Sequence, residues 1–172
     1  DPITLARKWV KPGTKGMEHR IGGLEKDSIS GNISYDPENH QKMTNLRSKK
    51  IKNIQNELDD ININGPEKGD LLVIGWGSTN GPISEAQDEL SKKGLKISHI
   101  QVSCLWPISD NLKEIASKFE SVIVVEMNEG QLYSILKTEG ITKAQSLTQV
   151  SGKPIRVSYL LEKFKKIIKS EK

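Results

Sequence analysis

A chain of 172 residues has room for one domain or one domain with an appendage, and 34% hydrophobic residues with 14 glycines sit slightly under globular composition. The net charge is only +4, with 26 basic against 22 acidic residues and aromatics at 5%, which argues against a nucleic-acid-binding surface. A single cysteine excludes an internal disulfide and cysteine-ligated zinc or clusters, and the absence of a signal sequence or an 18-residue apolar run points away from membrane and export.

Residues 1–60 are rich in Gly, Asn, Lys and Glu, with turn signals at Pro12-Gly13, Gly22-Gly23, Ser30-Gly31-Asn32 and Asp36-Pro37. So few apolar residues cannot bury enough area to order a segment alone, so this region is expected to lie along another domain or to be partly mobile. Because the chain opens on Asp1-Pro2 without a methionine, it reads as a piece of something longer. Asp36 as N-cap and Pro37 at the first position start a helix expected over residues 37–58. Met43, Leu46, Ile51, Ile54 and Leu58 line one side of it. The basic run at residues 47–52 reads as a solvated helix face, as does the run at 163–166.

From residue 61 the pattern becomes regular. Ile61 to Asn64 is expected as a short antiparallel edge strand, turned by Gly65 and Pro66 into an apolar strand at Leu71 to Ile74. A helix over 82–93 with Ile83, Ala86 and Leu90 inward follows, ended by Gly94. Next come a strand over 96–103, a helix over 111–119 and a second continuous apolar strand at Val122 to Val125. A helix over 130–139, a weaker strand over 146–150 and a helix over 157–168 complete the series. Continuous apolar runs alternating with helices of 10–14 residues predict a three-layer α/β/α fold on a five-stranded, mostly parallel sheet, with an irregular N-terminal extension. Cys104 falls in the third strand and reads as a buried, inert thiol.

Open parallel sheets place ligands or subunit contacts at the carboxyl ends of their strands. Two loops there stand out: Gly75, Trp76, Gly77, Ser78, Thr79, Asn80 and Gly81, and then Glu126, Asn128, Gly130 and Gln131. The first offers amides at a helix N-terminus to an anion, or is simply a tight turn. It lacks the third glycine of a dinucleotide fingerprint and the lysine of a phosphate-binding loop. Glu126 is a candidate acid or base if desolvated, or else a cap for the following helix or a group paired across an interface. His19, His40 and His99 fall in three separate segments, so no metal-ligand spacing exists. No serine, cysteine or lysine stands beside a histidine as a nucleophile pair. No catalytic residue is assigned.

Four stretches in order carry a family resemblance: Pro12-Gly13-Thr14-Lys15-Gly16-Met17-Glu18-His19-Arg20-Ile21-Gly22-Gly23-Leu24-Glu25; Gly31-Asn32-Ile33-Ser34-Tyr35-Asp36-Pro37-Glu38-Asn39-His40; residues 69–81; and Val124-Val125-Glu126-Met127-Asn128-Glu129-Gly130-Gln131. Together they resemble the C-terminal part of the alpha subunit of 2-oxoacid:ferredoxin oxidoreductases, most closely the 2-oxoglutarate-using type. The resemblance implies a parent enzyme that decarboxylates 2-oxoglutarate on thiamine diphosphate and Mg²⁺. Electrons would pass through an iron–sulfur cluster to ferredoxin, and coenzyme A would be the co-substrate that yields succinyl-CoA. It implies a transketolase C-terminal-like domain over residues 61–172. Residues 1–60 would be the tail of the pyrimidine-binding domain with its connecting segment. The other alpha-subunit domains and a thiamine-binding beta subunit would be its partners, in the cytoplasm. In this family the C-terminal domain mostly packs and orients subunits, so this portion is expected to hold no cofactor and to be inactive alone. The alternative is an autonomous module that binds a nucleotide or coenzyme A at residues 75–81. Related pyruvate enzymes carry a basic residue before the proline of Leu105-Trp106-Pro107-Ile108, so no anion contact is expected there. Trp76 and Trp106, both expected to be exposed near strand ends, are candidate interface anchors.

Overall fold

The computed structural model describes residues 1–170, and the chain divides into two compact units, 1–57 and 58 onward. In the first unit no residue is buried. Its regular element is helix α1 (Pro37–Lys52), which Asp36 caps by accepting the Asn39 N–H at 2.6 Å, with proline in the first turn as expected. The helix stops short of residue 58 and tightens into a 3₁₀ turn at Asn53–Glu57. Without a buried stripe, no tertiary packing extends it. A single antiparallel bridge, Lys26 to Ile33, closes a small loop in which Asp27 Oδ1 accepts from the Ile29 and Ser30 backbone and from the Ser30 hydroxyl. Polar contacts tie this loop to α1. Arg47 donates to both oxygens of Glu25 at 3.1 and 3.0 Å, and the Asn39 amide donates to Lys26 O at 2.9 Å.

The second unit holds strands β1 (Gly69–Trp76), β2 (Ile97–Val102), β3 (Phe119–Glu126) and β4 (Ala144–Thr148), with helices α2 (Asn80–Ser91), α3 (Asn111–Ser117), α4 (Gln131–Thr138) and α5 (Val157–Ser170). All strand pairs are parallel and the spatial order is β2-β1-β3-β4. Leu72, Ile74, Val122 and Val124 point to one face, where α3 and α4 cover them with Leu112, Ile115, Leu132 and Leu136. Leu71, Val73, Ile123 and Val125 point to the other, under Ile83, Ala86 and Leu90 of α2 and Leu160, Phe164 and Ile168 of α5. Burial on both faces explains why β1 and β3 read as unbroken apolar runs.

The sheet has four strands rather than five. Ile61 and Ile63 pack against the α3–α4 side of the core, but only Asn64 pairs, exchanging two 2.9 Å backbone bonds with His99. Beyond Asn64, Gly65, at φ +113°, and Pro66, which has no N–H to give, end the pairing with β2 on that side. Gln87 takes over part of the edge by donating to Asn64 O at 2.7 Å and to Ile97 O at 3.2 Å. Two strand boundaries differ from expectation as well. β4 begins two residues before Ser146, and β2 ends at Val102, so half-buried Cys104 lies in the loop beyond the strand, its thiol 3.5 Å from Trp106 O.

Candidate functional site

The connections define where a site belongs. From β1 the chain passes through α2 to β2 on one side, then through α3 across β1 to β3 and on through α4 to β4. The direction of winding therefore reverses between β1 and β3, and the crevice at their carboxyl ends is the topological switch point. The two loops singled out in the sequence meet there.

Glu126, the last residue of β3, is fully buried. Its Oε1 accepts from the Trp76 indole N–H at 3.1 Å, the Asn128 side-chain amide at 3.1 Å and the Leu132 N–H at 2.9 Å. Its Oε2 accepts from the Tyr133 N–H at 2.9 Å. Four donors replace the water that burial removes, and two of them are free amides at the N-terminus of α4, where the helix dipole favours negative charge. Of the roles open to Glu126, the geometry realises the cap. Asn128 closes the turn by accepting from Gly130 N at 2.7 Å and Gln131 N at 3.3 Å. Gly130 takes φ +93° to redirect the chain into α4, a conformation that favours glycine.

On the β1 side, Gly75 is closely approached. A Cβ there would stand 2.5 Å from Ile83 Cδ1 and 2.7 Å from Thr79 Oγ1. The Thr79 hydroxyl accepts from Trp76 N at 3.1 Å and donates to Trp76 O at 2.9 Å, pinning the short 3₁₀ turn Gly77–Thr79 to the strand end. Gly77, Ser78, Asn80 and Gly81 are exposed, and so is Gln131. Trp76 is half-buried rather than exposed because its indole spans the crevice to Glu126, whereas Trp106 is 58% exposed. What remains open is a shallow cavity of about 150 Å³ lined by Trp76, Gly77, Ser78, Thr79, Met127 and Asn128. Small-molecule sites usually run to ~300–1,000 Å³.

One pair escaped the sequence. Ser84 Oγ, on α2, lies 3.4 Å from Nδ1 of His99, on β2. They are fifteen residues apart, and only the packing of α2 on the β2 edge joins them. His99 is 2% exposed, and burial holds its imidazole below the usual histidine range, with neighbouring Gln101 opposing the shift. No group of three metal-ligating side chains exists among the described residues. One cysteine cannot supply the thiolates of an iron–sulfur cluster, and a cavity of about 150 Å³ leaves no room for thiamine diphosphate in this crevice.

Helices on both faces of a parallel sheet, with loops meeting at the switch point, define a transketolase-like α/β domain. A split-gene transketolase chain shares this fold at TM-score 0.50 and 15% identity, over 64% of this chain and 42% of that one. Residues 69–168 match the family model for the pyruvate:ferredoxin oxidoreductase core domain II, and the chain belongs to that family. It is 40% identical, over 99% of its length and 25% of the relative's, to the 2-oxoglutarate oxidoreductase subunit KorA of Mycobacterium tuberculosis. It is 30% identical to the alpha subunit of the 2-oxoacid:ferredoxin oxidoreductase of Saccharolobus solfataricus, over 85% of this chain and 24% of that subunit. The structure of the 2-oxoglutarate:ferredoxin oxidoreductase of Magnetococcus marinus, with 2-oxoglutarate, coenzyme A and succinyl-CoA bound, superposes at TM-score 0.87 and 28% identity. That match covers 96% of this chain and 29% of the other. The chain thus spans about a quarter of the length of these relatives.

Proposed function

We propose that the chain is the transketolase C-terminal-like portion of the alpha subunit of a 2-oxoglutarate:ferredoxin oxidoreductase, and that this portion organises subunits rather than holding substrate. The parent enzyme would carry out thiamine- and Mg²⁺-dependent, coenzyme A-dependent oxidative decarboxylation of 2-oxoglutarate. An iron–sulfur cluster held elsewhere would pass the electrons to ferredoxin, in the cytoplasm. Residues 1–60 would be the end of the pyrimidine-binding domain with its connection, and residues 61–172 the domain proper. The remaining alpha-subunit domains and a thiamine-binding beta subunit would be the partners.

The observation that carries this reading is the filled switch point. The Trp76 indole and the Glu126 carboxylate occupy the crevice where open α/β sheets hold ligands, and bond each other at 3.1 Å. That leaves the rim residues Gly77, Ser78, Asn80, Gly81 and Gln131 as contact surface. Gly75, Thr79, Glu126, Asn128 and Gly130 shape the rim from beneath. Exposed Trp106, at the same end of the sheet, is the aromatic expected of an interface anchor.

The test is an NMR titration of the chain with coenzyme A, with thiamine diphosphate plus Mg²⁺, with 2-oxoglutarate and with a nicotinamide dinucleotide. Silence towards all four is expected, as is no coenzyme A-dependent oxidation of 2-oxoglutarate by the chain alone. Saturable shifts confined to residues 75–81 and 126–131 would overturn the reading in favour of an autonomous anion-binding module.

A further inference from the structure

Among the described residues, three buried side-chain atoms lack a hydrogen-bond partner, and two of them, His99 Nε2 and Gln101 Oε1, stand two residues apart on the same face of β2. The surroundings limit what each can do. The Gln101 amide nitrogen donates to Gly77 O at 2.9 Å, which fixes the orientation of the amide, because the reversed amide would set oxygen against oxygen. Its Oε1 is thereby turned inward, above Gly75 and beneath α2, and needs a donor. On the other side of the imidazole the Ser84 hydroxyl stands 3.4 Å from Nδ1. A neutral imidazole has one donor and one acceptor nitrogen, and only one assignment serves both neighbours.

We propose that Ser84, His99 and Gln101 form a hydrogen-bond relay from α2 through β2 to the Gly77 loop, with the ring held as the neutral Nε2–H tautomer. Ser84 Oγ–H donates to Nδ1, Nε2–H donates to Gln101 Oε1, and the Gln101 amide donates to Gly77 O. The middle link would satisfy both orphaned atoms at once, since one needs an acceptor and the other a donor. The relay would make Gln101 a positioning residue: it sets the carbonyl of Gly77, and with it the exposed turn at the rim of the switch point. Its value to subunit contact rests on the contact-loop reading above, but the relay itself does not.

The relay is tested in the whole chain with ¹⁵N-labelled histidine, where His19→Gln and His40→Gln assign the two exposed rings. For His99 the expected spectrum shows a bare Nδ1 and an Nε2 proton that exchanges at least ~10-fold more slowly than those of the exposed rings. A proton on Nδ1, or exchange as fast as at His19 and His40, overturns the proposal. Gln101→Leu is expected to lose the retained proton and shift the Gly77 and Ser78 backbone resonances. Gln101→Glu, which accepts but does not donate, is expected to keep the proton and still shift Gly77. Unchanged Gly77 and Ser78 resonances in both variants would also overturn it. No binding partner enters these measurements, so they fail or succeed independently of the titration that tests the contact-loop reading.

Discussion

At Glu126 a carboxylate sits where no solvent reaches it, with no ion pair among the described residues, and four N–H groups donate to it. Removing it would strand the Trp76 indole N–H and two helix-terminal amides in the interior. Glu126→Gln preserves size but turns an NH₂ towards one of those donors, so unfolding in urea is expected to need about 2–3 kcal/mol less. Glu126→Ala should cost more, and a variant as stable as the parent would show that water reaches the crevice. Gly75 makes a second test at this scale. Gly75→Ala puts a methyl within 2.5 Å of Ile83 Cδ1 and 2.7 Å of Thr79 Oγ1. Overpacking of this kind destabilises by ~1–3 kcal/mol, and the same urea measurement reads it. An unchanged midpoint would mean that α2 stands off the strand end more easily than its packing suggests. Both residues were visible in the sequence as loop residues, but their tasks were not. A glycine before a turn is common, and nothing local distinguishes one that faces a helix methyl.

Among elements, the first unit depends on polar contacts where the second depends on apolar burial. The loop around Asp27 is held to α1 through Asn39, Lys42 and Glu25, the last of which accepts the Arg47 fork and lies 2.9 Å from His40 Nδ1. These donors, Arg47 first, hold the Glu25 carboxyl down at about 2, from an ordinary 4.5. Because the folded value is the lower one, the contact contributes stability in full above pH ~4.5 and loses it as pH falls towards ~2. A ¹³C titration of the Glu25 carboxyl should have its midpoint near the low value and should move up in Arg47→Gln. A midpoint at the ordinary value would mean that loop and helix are not joined in solution. The sequence identified the capped start of α1 because a cap is local, three residues long. It overestimated the length of α1 because a stripe of Met43, Leu46, Ile51 and Ile54 implies a partner surface, and no residue of α1 is buried in its own unit.

For the molecule as a whole, the contrast between the units predicts an uneven response to hydrogen exchange. β1 and β3 lie at the centre of the sheet, buried on both faces, and their amides should open only with global unfolding. Residues 1–57 bury no side chain, so α1 amides should exchange faster by orders of magnitude. Equal protection of Pro37–Lys52 and Gly69–Trp76 would contradict this.

Much of the fold was decided by local pattern. Parallel strands covered on both sides must be continuously apolar, and helices between them must carry one apolar stripe, so β1, β3 and α2 to α5 were legible in the sequence. The family was legible too, since four motifs recur in order along the chain. Local pattern says nothing about which strand lies beside which, and that order alone puts the switch point between β1 and β3 and brings Trp76 to Glu126 across fifty residues. It also decided the missing fifth strand. Ile61 to Asn64 alternates as a strand should, but only Asn64 pairs with β2, opposite His99, while Ile61 and Ile63 pack against the core. The pairing of Ser84 with His99 belongs to the same class. Spacing in sequence records which residues share a face, whereas helix-on-sheet packing sets which faces meet.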